Sequence, residues 1–258
     1  MRLFDTHCHF DFSVFAAEFS AHHQAALQQG VERFVIPAIG PENWSRLASL
    51  SDYSGVYYAL GFHPYFLRSE SAASLNLLID LLDKRSPRCV AVGETGLDWA
   101  IEVDKNLQQQ MFLKQIELAQ AYQLPLILHS RKSDSQIIKL LKQARFTQGG
   151  VWHGFSGSEQ QAKAFIDAGF KIGVGGVITY SRANKTRRAV AALPASSLVL
   201  ETDAPDMPMH GLQGQPNHSK YLPRVLHELA TLRNSPPELL AEQLWHNSHQ
   251  LFALDDNN

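Results

Sequence analysis

Two histidines close the first apolar run of the chain, Leu3-Phe4-Asp5-Thr6-His7-Cys8-His9. Residues two apart in an extended segment share a face, so His7 and His9 project together while Cys8 points away and packs as a small apolar residue. Such a pair suits a metal ion, or else a hydrogen-bonded couple at the edge of a core. Other apolar runs end in the same way. Val92-Gly93-Glu94-Thr95-Gly96-Leu97-Asp98 delivers a carboxylate between two glycines, and Leu200-Glu201-Thr202-Asp203-Ala204-Pro205 delivers two more. Leu128-His129-Ser130-Arg131, Trp152-His153-Gly154-Phe155 and Gly61-Phe62-His63-Pro64 each supply an imidazole. A carboxylate placed directly after an apolar strand is costly to bury unless something pairs with it.

His7, His9, Glu94, His129, His153 and Asp203 make four imidazoles and two carboxylates, more than one tetrahedral ion needs. The natural division is two divalent cations sharing one carboxylate. Glu94 is then the expected bridge, with His7, His9 and Asp203 on one ion and His129 and His153 on the other. Mixed nitrogen and oxygen donors favour Zn²⁺ or Mn²⁺, with Mg²⁺ conceivable if it keeps waters. A cation pair would bring the pKa of a shared water from 15.7 toward about 7, and Asp203 could take the proton. Glu94, Asp203 and His63 are therefore the catalytic candidates. His63 and Arg131 are the substrate-binding candidates, placed to hold a phosphate; the alternatives are a turn histidine before Pro64 and a pairing of Arg131 with Asp134. Glu201 is expected behind a ligand, and Asp98 is expected to orient the loop after Glu94. The other histidines (His22, His23, His210, His218, His227, His246 and His249) read as surface or loop residues, with His210 and His218 nearest the mouth.

Something must carry these groups to one place. Strand-like runs at 2–5, 31–36, 56–60, 89–92, 125–128, 150–152, 170–174 and 198–200 alternate with segments of helical period at 15–29, 42–50, 72–84, 106–122, 135–144, 158–168 and 185–193. Two more helical stretches, 221–233 and 237–252, follow. In 106–122 the apolar side chains gather on one face and the glutamines on the other. Eight such alternations predict a (β/α)8 barrel, whose strand ends converge on one mouth. An open dinucleotide-binding sheet would show a glycine-rich turn after its first strand, and Asp5-Thr6-His7-Cys8-His9 has none. No linker or repeat divides the chain, so residues 1–258 are expected to form one domain.

The composition agrees. Hydrophobic residues at 45% and charged residues at 19% exclude disorder, and a net charge of −2 argues against bulk coating of nucleic acid or membrane. Two cysteines exclude a disulfide framework. No run resembles a signal peptide or reaches the length of a membrane span, so a cytoplasmic monomer is expected. The stretch with Tyr180, Arg182, Lys185, Arg187 and Arg188, and the aromatic residues Phe62, Tyr65, Trp99 and Phe155, could line the mouth for a single strand. Equally, the basic stretch could open a solvated helix.

In this order the motifs resemble the TatD family of metal-dependent deoxyribonucleases, a branch of the amidohydrolase-like barrels, across essentially the whole chain. Lys171-Ile172-Gly173-Val174-Gly175-Gly176 and Asp206-Met207-Pro208 are similar to the YjjV-type branch. The resemblance implies a two-metal hydrolase with DNA or another phosphodiester as substrate. One departure bears on that substrate: relatives carry Arg-Asn-x-Pro after the last strand, whereas Gly214-Gln215-Pro216-Asn217-His218 lacks the arginine. The competing readings are an amide- or ester-cleaving metallohydrolase acting on a small molecule, and a non-catalytic, metal-stabilised binding module.

Overall fold

The computed structural model describes residues 1–255. Its eight strands are β1 (Leu3–Asp5), β2 (Val31–Pro37), β3 (Val56–Leu60), β4 (Cys89–Asp98), β5 (Leu126–Arg131), β6 (Gly150–Trp152), β7 (Phe170–Val174) and β8 (Leu198–Leu200). They lie parallel in sequence order. The helices between and after them are α1 (Ser13–Ala16), α2 (Phe19–Leu27), α3 (Trp44–Leu50), α4 (Leu75–Asp83), α5 (Lys105–Tyr122), α6 (Asp134–Gln143), α7 (Glu159–Ile166), α8 (Asn184–Ala192), α9 (Leu222–Arg233) and α10 (Pro237–Leu251). This is the (β/α)8 barrel that the alternation predicts. The stretch at 15–29 is two helices rather than one, and β4 and β5 run past their expected ends to include Glu94 and His129.

Strand alternation divides the buried apolar residues in two. Val35, Tyr57, Ala59, Ile127, Val151 and Val199 form one cluster with Phe4, Trp245 and Phe252. That cluster fills the barrel interior, and α10 closes the end opposite the strand termini. Their neighbours in sequence, including Phe34, Ile36, Tyr58, Leu60, Leu126 and Leu128, belong to the larger cluster under the surrounding helices. Residues that continue the inward parity beyond Val151 and Val199 are His153 and Glu201, so the interior stack ends in polar groups at the strand ends.

Closure between β8 and β1 uses single bonds rather than a ladder. The Thr6 N–H and hydroxyl both donate to the Leu200 carbonyl (3.0 and 2.8 Å), and the Asp203 N–H donates to the His7 carbonyl at 2.9 Å. The seam therefore sets His7 beside Asp203.

α5 corrects the sequence reading. Gln108 and Gln115 are buried with Met111, Phe112, Ile116 and Ala119, while Leu107, Leu113 and Leu118 are only partly covered. Both glutamines clamp backbone. Gln108 accepts the Asp98 N–H at 2.8 Å and donates to the Asp98 carbonyl at 3.0 Å. Gln115 accepts the Phe62 N–H at 2.7 Å and donates to its carbonyl at 3.2 Å.

Candidate metal centre and active site

Glu94 reaches the barrel axis through a local irregularity. Val92 pairs with Leu126 and Thr95 with Leu128, so β4 carries one extra residue against β5. Such a bulge re-aims a side chain. Here the Glu94 N–H turns to the Ala38 carbonyl at 2.9 Å, and the carboxylate is buried at 1% exposure. Gly96, with φ of +138°, lies against the His129 backbone, where a Cβ would collide. The glycines that flank Glu94 thus serve close strand packing as well as the turn.

Five imidazoles converge on this one carboxylate. Oε2 lies 3.1 Å from His7 Nε2 and 3.6 Å from His9 Nε2. Oε1 lies 2.9 Å from His63 Nε2, 3.0 Å from His129 Nδ1 and 2.7 Å from His153 Nε2. Asp203 Oδ1 stands 3.4 Å from His7 Nε2 and 3.8 Å from His9 Nε2. Every residue expected to ligate metal is therefore in one cluster, and the two oxygens of Glu94 face different groups.

Hydrogen bonds on the far side of two rings separate their roles. His129 Nε2 meets Asp98 Oδ2 at 3.1 Å, a contact that holds a proton on Nε2 and leaves Nδ1 as the atom that would meet a cation at the centre. His63 Nδ1 instead accepts the Tyr65 N–H at 3.0 Å, which puts the proton on Nε2 facing Glu94. His129 is arranged as a ligand and His63 as a donor. Asp98 also accepts the Ala100 N–H, so it does orient the loop; its grip on His129 is what the sequence reading missed. A carboxylate four residues after Glu94, on the same strand and buried, was the available signal.

Asp98 and Glu94 on either side of His129 raise its pKa against the opposing effect of burial, so without a cation a proton bridges Nδ1 and Glu94 Oε1 at 3.0 Å, and a divalent ion would take that proton's place. Five clustered imidazoles cannot all supply protons, so the donor set fits divalent metal. Burial opposes ionisation of Glu94, yet the facing imidazoles, His153 foremost, hold its carboxyl well below the ordinary range. Burial lowers His7 well below the usual imidazole range, which keeps it neutral and able to ligate. Behind His153, burial pushes Glu201 up to about 8, and its Oε1 accepts the Gly154 N–H. The absence of a side chain at Gly173 makes room for that carboxylate.

A second buried acid supports the seam. Asp5 accepts from the Thr202 N–H at 2.9 Å and the Thr202 hydroxyl at 2.6 Å, and burial raises its pKa to about 6. The stretch that lacks the arginine pins the same loop. Asn217 donates to the carbonyls of Thr202 (2.8 Å) and Met207 (3.2 Å).

A cavity of about 370 Å³ opens over Glu94, reached by His9, His63, His129, His153 and Asp203. The donors thus line an open space rather than a sealed cage. Arg131 lies on its rim, exposed, 4.0 Å from Asp98; Asp134 is engaged by Ser130 and Gln161 instead. Tyr65 lines the wall, but Phe62 and Phe155 are buried in the core and do not reach the mouth. Nor does His218, which is buried beside α2 with its Nε2 3.2 Å from His22 Nδ1. His23 and His249 are likewise buried rather than on the surface. No helix among the described residues is long and apolar enough to cross a membrane.

Comparison with known proteins places this geometry. Residues 4–253 match the family model described as TatD related DNase. The chain is 47% identical over 253 residues to the uncharacterized metal-dependent hydrolase YjjV of Escherichia coli (strain K12), covering 97% of this chain and 98% of that one. The crystal structure of that TatD homologue superposes with a TM-score of 0.95 at 46% identity, covering 98% and 99% of the two chains. The 3'-5' ssDNA/RNA exonuclease TatD of Klebsiella pneumoniae (strain 342) is 31% identical, covering 94% of this chain and 96% of its own. The chain belongs to the TatD-related DNase family of metal-dependent hydrolases.

Proposed function

We propose that the protein is a two-metal phosphodiester hydrolase acting on single-stranded nucleic acid. The observation that carries this reading is the division of Glu94, with His7 and His9 beside one oxygen and His63, His129 and His153 beside the other, while Asp203 stands against His7 and His9. His7, His9, Glu94, His129, His153 and Asp203 would hold the ions, and the family and the exonuclease name of the Klebsiella relative support the substrate class. When bound, such ions act as Lewis acids on a phosphoryl oxygen and lower the pKa of water.

The chain's own groups supply the rest. Asp203 sits in the left-handed region at φ +57°, held by its N–H to His7, with its carboxylate at the cavity floor. From there it accepts the proton of the attacking water. His63 presents Nε2–H to the cavity and donates to the phosphate or to the departing oxygen. Arg131, whose planar fork matches phosphate oxygens, draws the substrate in from the rim.

Asp203→Asn keeps an oxygen ligand but loses the base, so kcat on a single-stranded oligonucleotide should fall about 10²–10⁴-fold while the metal content stays near wild type. Steady-state kinetics beside elemental analysis checks this, and near-normal turnover would sink the base assignment. Hydrolysis of small amide or ester panels, with no cleavage of any phosphodiester, would favour the amidohydrolase-like reading instead.

A further inference from the structure

The basic stretch after β7 is sorted by the structure. Arg187 is consumed internally: its guanidinium bonds the Ile178 carbonyl and lies 2.6 Å from Glu228 Oε1. Tyr180 and Arg182 are disposed differently. They line a second cavity of about 390 Å³, with Met207 and Ser156 on its other side. That size accommodates a small organic ligand.

The second cavity is built and it adjoins the first. The Tyr180 ring is fixed because its hydroxyl donates to the Pro208 carbonyl at 2.7 Å. The Arg182 guanidinium lies 5.0 Å from the centre of that ring, and it is exposed and forms no salt bridge among the described residues. Met207 is held in the left-handed region at φ +49°, directly after Asp206, which lines the metal cavity. A Cβ on Gly154, next to His153, would come within 3.9 Å of Met207 Sδ. Gly154, next to His153 of the first cavity, thus faces Met207 of the second, so the two spaces lie on either side of this contact.

A flat aromatic ring, a planar cation without a carboxylate partner, a thioether and a hydroxyl make a surface for a base and its phosphate. We propose that this cavity is the subsite for the nucleotide adjoining the scissile phosphate, its base stacked on the Tyr180–Arg182 pair and its outer phosphate met by Arg182. The inference rests on the phosphodiesterase reading above and names what that reading leaves open, namely how a strand longer than one nucleotide is held.

The test is fluorescence anisotropy with manganese-supplemented protein and labelled, phosphorothioate-linked oligothymidylates of one, two and four nucleotides. Affinity should rise about tenfold on adding the second nucleotide, since one base stack is worth roughly that factor, and little thereafter. Tyr180→Ala and Arg182→Ala should each abolish most of that gain, and Tyr180→Phe should keep it. No gain at the second nucleotide, or a gain that both alanine variants retain, overturns the subsite. Hydrolysis of unmodified oligothymidylates is followed in parallel. Gain without hydrolysis upholds the subsite and overturns the hydrolase reading; hydrolysis without gain overturns the subsite alone.

Discussion

His63 and His129 stand within 3.2 Å of each other and both touch Glu94 Oε1, yet their outer nitrogens give them opposite characters. Asp98 holds a proton on His129 Nε2 and leaves Nδ1 to meet a cation, and the Tyr65 N–H makes His63 a proton donor. The two residues should therefore fail differently. His129→Ala should release metal, and Asp98→Asn should weaken metal binding about 10–100-fold, as loss of an outer carboxylate partner does. His63→Gln should retain the metal and lower kcat about 10²-fold or more. Metal titration by calorimetry beside kinetics separates the outcomes, and equal metal loss in His63→Gln would show that His63 is a ligand. Little of this division was legible in the sequence. Residue types and their places at strand ends announced the cluster, but a tautomer depends on what lies behind the ring, here the Tyr65 N–H of the same turn for His63 and Asp98 at the end of β4 for His129.

At the scale of elements, the strands were readable because a buried parallel strand is a short apolar run, and β3, β6, β7 and β8 have their expected bounds. Reading failed where polar side chains do structural work. In β4 and β5 the apolar run stops before the strand does, because Glu94 and His129 are still in the ladder or its bulge. In α5, glutamine reads as solvent-facing, yet Gln108 and Gln115 are turned inward to satisfy backbone groups that the barrel cannot pair. Each clamp holds a loop that carries a site residue, Asp98 in one case and His63 in the other. Gln108→Leu leaves the buried Asp98 N–H and carbonyl unpartnered, at a cost of about 1–3 kcal/mol for each group. Thermal denaturation should show a lowered Tm, and metal affinity should fall in the direction set by Asp98→Asn. A variant with unchanged stability and affinity would show that the clamp is dispensable.

Across the whole molecule the barrel has a dry end and a polar end. Phe4, Trp245 and Phe252 seal the interior below Val35, Ile127 and Val199, while His153 and Glu201 top the same column. Trp245 is also covered by the Arg2 guanidinium, 4.7 Å from its ring. Trp245→Ala should cost about 3–5 kcal/mol in chemical denaturation and leave the metal stoichiometry of the folded fraction unchanged. A loss of metal in proportion to stability would mean that the two ends are coupled. The seam between β8 and β1 brings His7 and Asp203 together through single backbone bonds, under the support of Asp5, Thr202 and Asn217.

The proposed sharing of Glu94 between two cations is tested most directly by anomalous diffraction from crystals grown with manganese or zinc. Two peaks are predicted, one among His7, His9, Asp203 and Glu94 Oε2, the other among His129, His153 and Glu94 Oε1. A single peak, or two peaks of which only one contacts Glu94, would contradict it.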